Sequence, residues 1–243
     1  MADLAAFFRE RGANVVLMSE HVETLDPEKL VRIVADCKAY SSDSFLLIPG
    51  IEIDALNALF YDVQVVESWK DPEDLAAQFA RGGALVAVSH PVKVKNDIPP
   101  LTASFVEAVE VWNSRHDGKL AIDRHIVRFW QSLQRRLGRP LVPVCGIDFH
   151  KPSDFVPLFF EFTSDRLDRS TVVAALRSGR HKIVRAGRAV PLDFATGRLS
   201  PLYRMNSACY RFAYQTVYGI HRAVLRTGIQ PSKGLRSLLR RVF

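Results

Sequence analysis

Through the first 190 residues, short apolar runs rich in Val, Ile, Leu and Phe alternate with stretches in which apolar positions recur every three or four residues. That alternation is the pattern of strands joined by crossover helices around a largely parallel sheet. Strands are expected at 14–18, 45–49, 62–66, 84–89, 108–112, 141–145, 157–162 and 181–185. Two intervening helices announce their starts. Asp26-Pro27-Glu28 and Asp71-Pro72-Glu73 each put an aspartate at the N-cap, a proline at the first helical position and a carboxylate in the first turn. The second of these helices stops at Gly82-Gly83. A long helix predicted over 119–137 carries Leu120, Ile122, Ile126, Val127, Trp130 and Leu133 on one stripe and stops at Gly138, with Pro140 beyond. Eight strands in series imply a barrel or a wide doubly wound sheet.

The pattern breaks between 190 and 200, where Pro191, Gly197 and Pro201 interrupt it. Residues 1–192 form the expected barrel unit, and 193–243 a tail in which 201–227 reads as an aromatic-rich helix and 233–242 as a short basic one. Charge divides the chain in a similar way. Residues 1–150 hold 16 Lys and Arg against 21 Asp and Glu, residues 151–243 hold 17 against 5, and no carboxylate follows Asp193. At 48% hydrophobic and 24% charged, the 243 residues are of globular composition, which excludes disordered, collagenous and low-complexity classes. The three cysteines show no CxxC spacing, so neither a disulfide framework nor a Cys-ligated zinc site is expected, and a reducing cytoplasm fits. Apolar runs fall short of the roughly 20 residues that span a bilayer, and the N-terminus lacks the order of a signal peptide.

In parallel α/β folds, functional side chains collect where strands run into loops at the C-terminal face. Five expected strands end in chemistry-bearing residues: Ser19-Glu20-His21, Gly50-Ile51-Glu52, Ser89-His90-Pro91, Asn113-Ser114-Arg115-His116 and Gly146-Ile147-Asp148-Phe149-His150. Imidazole with carboxylate is the ligand set of borderline divalent ions such as zinc, manganese or iron, and a mixed site keeps open positions for water and substrate. Asp148 and His150, two residues apart, can share one side of an extended segment and grip the same or adjacent ions. Singly, each residue has a plainer role: His90 as a loop histidine, Glu52 as a solvated strand end, Glu20-His21 as a cap on the next loop. Recurrence at five strand ends favours the metal site.

These pieces, in this order, resemble the PHP family, named for polymerase and histidinol phosphatase. The resemblance covers 5–185. Residues 6–21 are similar to the family's helix, glycine and strand ending in an acid–His pair, 48–53 to its Pro-Gly-x-Glu strand, 88–91 to its His-Pro, and 146–150 to its closing Gly-x-Asp-x-His. The resemblance implies an α/β fold, a distorted (β/α)7 TIM-like barrel with the first strand missing, followed by a C-terminal helical extension. It also implies metal-dependent hydrolysis of a small phosphorylated substrate. His21, Glu52, His90, Asp148 and His150 would be metal ligands, Glu52 bridging, for two or three divalent Zn, Mn or Fe ions.

The family's opening strand ends in His-x-His, which occurs nowhere in this sequence, and Met1 stands where that segment should finish. Met1 is therefore expected to be internal to a longer chain. A barrel lacking that strand is expected to show unpaired edges and to hold fewer ions. Where the family often has a histidine after the bridging glutamate, this chain has Tyr61, Asp62 and Gln64, of which Asp62 is the one possible substitute. Lys93, Lys95 and Arg115 lie just beyond ligand-bearing strand ends, to meet substrate phosphates or to stand as solvated loop charges.

Two rivals remain. An amidohydrolase or deacetylase would use the same metals, but no strand-end lysine suited to carbamylation stands out. A non-catalytic, degenerate PHP-like barrel would act as a binding or scaffold protein. Ser114 and Cys145 form no nucleophile–base spacing with the histidines. The tail pairs arginines with Tyr203, Tyr210, Phe212, Tyr214 and Tyr218. Its aromatic stripe is expected to pack on the barrel with the arginines solvated; an anionic membrane surface is the next alternative and nucleic acid the last.

Overall fold

The computed structural model describes residues 1–92, 98–117 and 121–226. Lys93, Lys95 and the expected helix at 233–242 lie outside the described residues. The chain opens with α1 (Ala2–Arg9), β1 (Val15–Leu17), β2 (Glu20–His21) and α2 (Pro27–Ala39). It continues through β3 (Leu46–Ile48), β4 (Gly50–Ile53), β5 (Ala58–Tyr61), α3 (Pro72–Arg81), β6 (Leu85–Val88) and α4 (Pro100–Phe105). Next come β7 (Ala108–Asn113), α5 (Arg124–Leu137), β8 (Val142–Gly146), β9 (Leu158–Glu161), α6 (Arg169–Arg177) and β10 (Lys182–Arg185). Two-residue strands β11 (Arg188–Ala189), β12 (Leu192–Asp193) and β13 (Arg198–Leu199) lead into α7 (Pro201–Arg226).

The helix starts follow the expected capping chemistry. Asp26 accepts from the Lys29 N–H and Asp71 from the Asp74 N–H, both at 2.8 Å, so each carboxylate satisfies a backbone donor that the helix itself leaves open. The α5 helix begins later than its apolar stripe suggested, because Asp123 caps it by accepting from the His125 N–H at 2.7 Å. It stops at Gly138, whose φ of 64° is a left-handed turn that glycine adopts without strain. The buried stripe Ile126, Val127, Phe129, Trp130 and Leu133 packs under β7, and the Trp130 indole donates to the Leu141 carbonyl at 2.8 Å.

The central sheet runs β2-β4-β5-β6-β7-β8. The β2–β4, β6–β7 and β7–β8 pairs are parallel, whereas β4–β5 and β5–β6 are antiparallel. β1 and β3 form a separate parallel pair, and β9, β10 and β11 a separate antiparallel ribbon. The architecture is therefore mixed α/β with a parallel-rich sheet. Among the described residues no ladder joins β1 to β9 or β8 to β9, so the strands do not close into a hydrogen-bonded ring.

One expected strand is corrected. Residues 62–66 are not a strand; the strand is Ala58–Tyr61, returning antiparallel against β4. The chain reverses at Asp54–Asn57, with Asn57 in the left-handed region at φ 49°. Beyond β5, Asp62 also takes a positive φ, 64°, and its carboxylate binds the Arg169 guanidinium, accepting from Nε at 2.6 Å. Alternation in Asp62–Val63–Gln64–Val65–Val66 is thus a loop's, and Asp62 is spent on Arg169.

Candidate metal centre

The site grows from the C-terminal ends of β4, β6, β7 and β8. The deepest part is anchored by Glu110, a carboxylate flanked by apolar residues within the wholly buried strand β7. Its Oε2 accepts from the His90 backbone N–H at 3.0 Å and lies 2.9 Å from His90 Nδ1. Its Oε1 accepts from Asn113 Nδ2 at 3.0 Å. The Asn113 amide is oriented in turn, because its Oδ1 accepts from the backbone N–H groups of Arg115 and His116 at 3.0 and 3.2 Å. Asn113 Nδ2 is also 2.9 Å from His90 Nδ1, but two donors do not bond each other, so its proton goes to Glu110. These contacts place a proton on His90 Nδ1.

His90 Nε2 consequently points at Glu52, 3.0 Å from Oε1. Glu52, His90 and Glu110 are only 3, 5 and 2% exposed, and Glu52 Oε1 is buried without a hydrogen-bond partner. A neutral imidazole protonated at Nδ1 would set its Nε2 lone pair against that carboxylate oxygen. A cation or a second ring proton resolves the conflict. Burial lowers the His90 pKa, but hydrogen bonds and charge from Glu110 and Glu52 more than offset it and push it up to about 10. Two buried carboxylates sharing one cationic ring still carry excess negative charge, the donor set that a divalent ion satisfies.

Glycine is required on the floor of this cluster. A Cβ on Gly146, the last residue of β8, would stand 2.3 Å from Glu110 Oε1. A Cβ on Gly50, the first residue of β4, would stand 2.1 Å from the Met18 carbonyl oxygen. The Gly-x-Glu and Gly-x-Asp-x-His spacings are thus packing requirements as well as ligand spacings.

The outer part is more open. Asp148 accepts from or abuts three groups: His116 Nε2 is 2.8 Å from Oδ2, and His150 Nδ1 and Arg115 Nη1 are 3.2 and 3.7 Å from Oδ1. The Arg115 guanidinium also donates to His150 Nδ1. The loop carrying these residues is pinned by aromatic packing, with Phe149 5.0 Å from both Phe7 and Phe8 of α1, ring centre to ring centre. On the other flank, the β2–β4 register sets His21 opposite Glu52, with His21 Nε2 4.0 Å from Glu52 Oε2 and Nδ1 3.7 Å from Asp54 Oδ2.

Among the described residues, two triads result whose ligand atoms lie within 4.8 Å of one another: His90, His116 and Asp148, and His21, Glu52 and Asp54. The 3.0 Å approach of His90 to Glu52 joins them. Of the five residues singled out from sequence, His90 and Asp148 fall in the first triad and His21 and Glu52 in the second. His150 falls in neither; it flanks Asp148 with its Nδ1 engaged by Arg115, its ring 6.1 Å from that of His21. His90 and Asp148 both adopt left-handed backbone, φ 40° and 49°, conformations that non-glycine residues hold only when the surroundings impose them.

Sequence reasoning missed Glu110, Asp54 and the ligand role open to His116. A lone carboxylate inside the β-branched run 108–112 was the available signal for Glu110, since a charge within a buried strand demands a partner. The site opens into a cavity of about 1060 Å³ lined by Glu52, His90, Glu110 and Asp148 together with residues of β1 and β9. The edges of β1 and β9 that carry no ladder border this space.

No protein-family model and no curated protein matches the chain. A solved structure does. It is a two-domain protein from Bacteroides vulgatus containing a predicted PHP-like metal-dependent phosphoesterase, similar with a TM-score of 0.53 at 13% identity. The likeness covers 76% of this chain and 60% of that one, and at this identity it speaks for a shared fold alone.

Proposed function

We propose that this chain is a PHP-type metal-dependent phosphoesterase built on a distorted (β/α)7 barrel. The observation that carries the proposal is the buried Glu52 Oε1 facing His90 Nε2 at 3.0 Å, with His90 Nδ1 committed to Glu110. That is a second-sphere carboxylate orienting a ligand histidine, an arrangement metal sites use to fix tautomer and raise basicity. His21, Glu52, His90, Asp148 and His150 are the proposed ligands, with His116 and Asp54 completing the two triads.

Divalent ions held there would supply Lewis acidity and lower the pKa of a water beside the phosphoryl group. Glu52, a member of the second triad, reaches the first through His90 Nε2 at 3.0 Å. Glu110 and Asn113 keep His90 in the tautomer that offers Nε2. Arg115, already at the rim, is the group placed to meet a non-bridging phosphoryl oxygen, as guanidinium geometry suits phosphate. Zn, Mn and Fe all suit this donor set. Cys37, Cys145 and Cys209 are free thiols, and no helix among the described residues is long and apolar enough to cross a membrane.

Elemental analysis of the purified chain, with p-nitrophenyl phosphate hydrolysis before and after chelation, tests this. The expected result is at least one bound ion per chain and hydrolysis abolished by chelator, restored by Mn²⁺ or Zn²⁺, and lost in Glu52→Gln. A second reading, the non-catalytic scaffold, is favoured by one observation: Arg115 donates to His150 and His116 lies 2.8 Å from Asp148 Oδ2, so both rim groups already have protein partners. Metal-free protein that stays inactive with added ions would select it.

A further inference from the structure

Among the described residues, the four most exposed large apolar side chains are Leu202, Met205, Phe212 and Ile220, at 64, 58, 73 and 60%, and all four lie on α7. Their spacing puts them on one face of the helix, along with the exposed Cys209. That face is distinct from the one docked on the body. Tyr203 accepts from the Ile122 N–H at 3.2 Å and packs on the α5–β7 core, and Ser207 donates to the Ile122 carbonyl at 3.4 Å. The expected packing of the tail therefore holds for Tyr203, whereas Phe212 turns to solvent.

Charge says what covers the exposed face. No carboxylate follows Asp193, while Arg204, Arg211, Arg222 and Arg226 share α7. They follow one another at intervals near whole helical turns, so these four positions fall along one line of the helix beside the apolar positions. A second copy of the helix would set like charges together with no acidic residue to pair them, which disfavours self-association. A neutral apolar partner would leave the basic row unanswered. An apolar stripe edged by arginines matches a bilayer surface, where acyl chains take the one and lipid phosphates the other.

We propose that α7 lies in the plane of an anionic lipid bilayer surface, inserting Leu202, Met205, Phe212 and Ile220 between headgroups while Tyr203 and Ser207 keep the barrel attached. The helix, about 39 Å long at 1.5 Å per residue, is not apolar enough to cross.

Flotation of the full chain with vesicles tests this, comparing pure phosphatidylcholine with phosphatidylcholine containing about 30 mol% phosphatidylserine. Flotation is expected with the anionic vesicles only, falling at least about tenfold in a Met205→Gln/Phe212→Gln/Ile220→Gln variant and in roughly 0.5 M salt. These side chains touch solvent, so the variant keeps its fold, checked by circular dichroism. Absent flotation, or equal flotation of the variant, overturns the proposal. So does a concentration-dependent dimer that the same substitutions abolish while vesicles are ignored, or tight binding of a single-stranded oligonucleotide in place of vesicles.

Discussion

The two parts of the metal centre are built on opposite principles. At the deep end, Glu52, His90, Glu110 and Asn113 are almost wholly buried and each orients the next, so geometry exists before any ion arrives. At the rim, His21, His150 and Arg115 have side chains 39, 47 and 45% exposed, and their contacts, Arg115 with His150 and Asp148 and His21 with Glu23 and Asp54, are ones that water can replace. The deep part is structure that doubles as a ligand frame; the rim is chemistry that the fold tolerates. Substitutions at the two ends should therefore differ most in stability.

The largest effect is expected from Glu110→Ala. It would leave the His90 N–H, the His90 ring and the Asn113 amide without their common acceptor in a buried site, a loss on the order of 3–5 kcal/mol. Urea unfolding at neutral pH with chelator present reads it. A loss near that of a surface substitution would mean that the deep end is not preorganised, and the comparison would fail.

Alkaline titration sharpens the same point. The folded His90 pKa is raised to about 10, so its charged-pair contribution is complete below the unfolded value near 6.5 and is lost as pH rises through about 10. In chelator, stability should fall by up to a few kcal/mol between pH 7 and 10.5, and His90→Gln should flatten that slope. Saturating Zn²⁺ or Mn²⁺ should flatten it too, by taking the place of the second ring proton. Parallel curves for the wild type and His90→Gln would break the argument.

A smaller loss is expected from Gly146→Ala, because its Cβ meets a carboxylate oxygen at 2.3 Å and Glu110 must move. About 1–3 kcal/mol is the usual cost of such overpacking. The same substitution at Gly83, where a Cβ meets nothing within 4 Å but φ is +88°, separates steric from backbone cost, read again by urea unfolding.

How much of this was legible in the sequence follows from what each signal needs. The starts of α2 and α3 and the stop of α5 are local, set by Asp26, Asp71 and Gly138 through bonds spanning a few residues. The strand-end histidines and acids were legible because parallel crossovers send successive strand ends to one side. Register and reversal are not local. The β4–β5 hairpin replaced an expected crossover because Asn57 accepts a left-handed turn, a tolerance the alternation in 62–66 could not reveal. Glu110 went unrecognised because its partners, His90 and Asn113, come to it only when β6 and β7 pair side by side. The grouping of His116 with His90 and Asp148, rather than His150, depends on where Arg115 points.

The smallest stability effect, and the most informative one, belongs to Arg115→Ala. Its guanidinium is 45% exposed and its contacts to Asp148 and His150 are solvent-screened, so unfolding should change by no more than about 0.5 kcal/mol. Ion affinity should move the other way from activity. Removing a positive charge beside Asp148 and releasing His150 Nδ1 should tighten Mn²⁺ or Zn²⁺ binding by up to about tenfold in calorimetry. Hydrolysis of p-nitrophenyl phosphate should meanwhile fall, chiefly in KM, because the guanidinium that meets the phosphoryl oxygens is gone. Tighter ion binding with unchanged hydrolysis would make Arg115 only a stand-in for the ion, and a rim that discards it on metal binding would then differ from the deep end even more sharply than the exposures indicate.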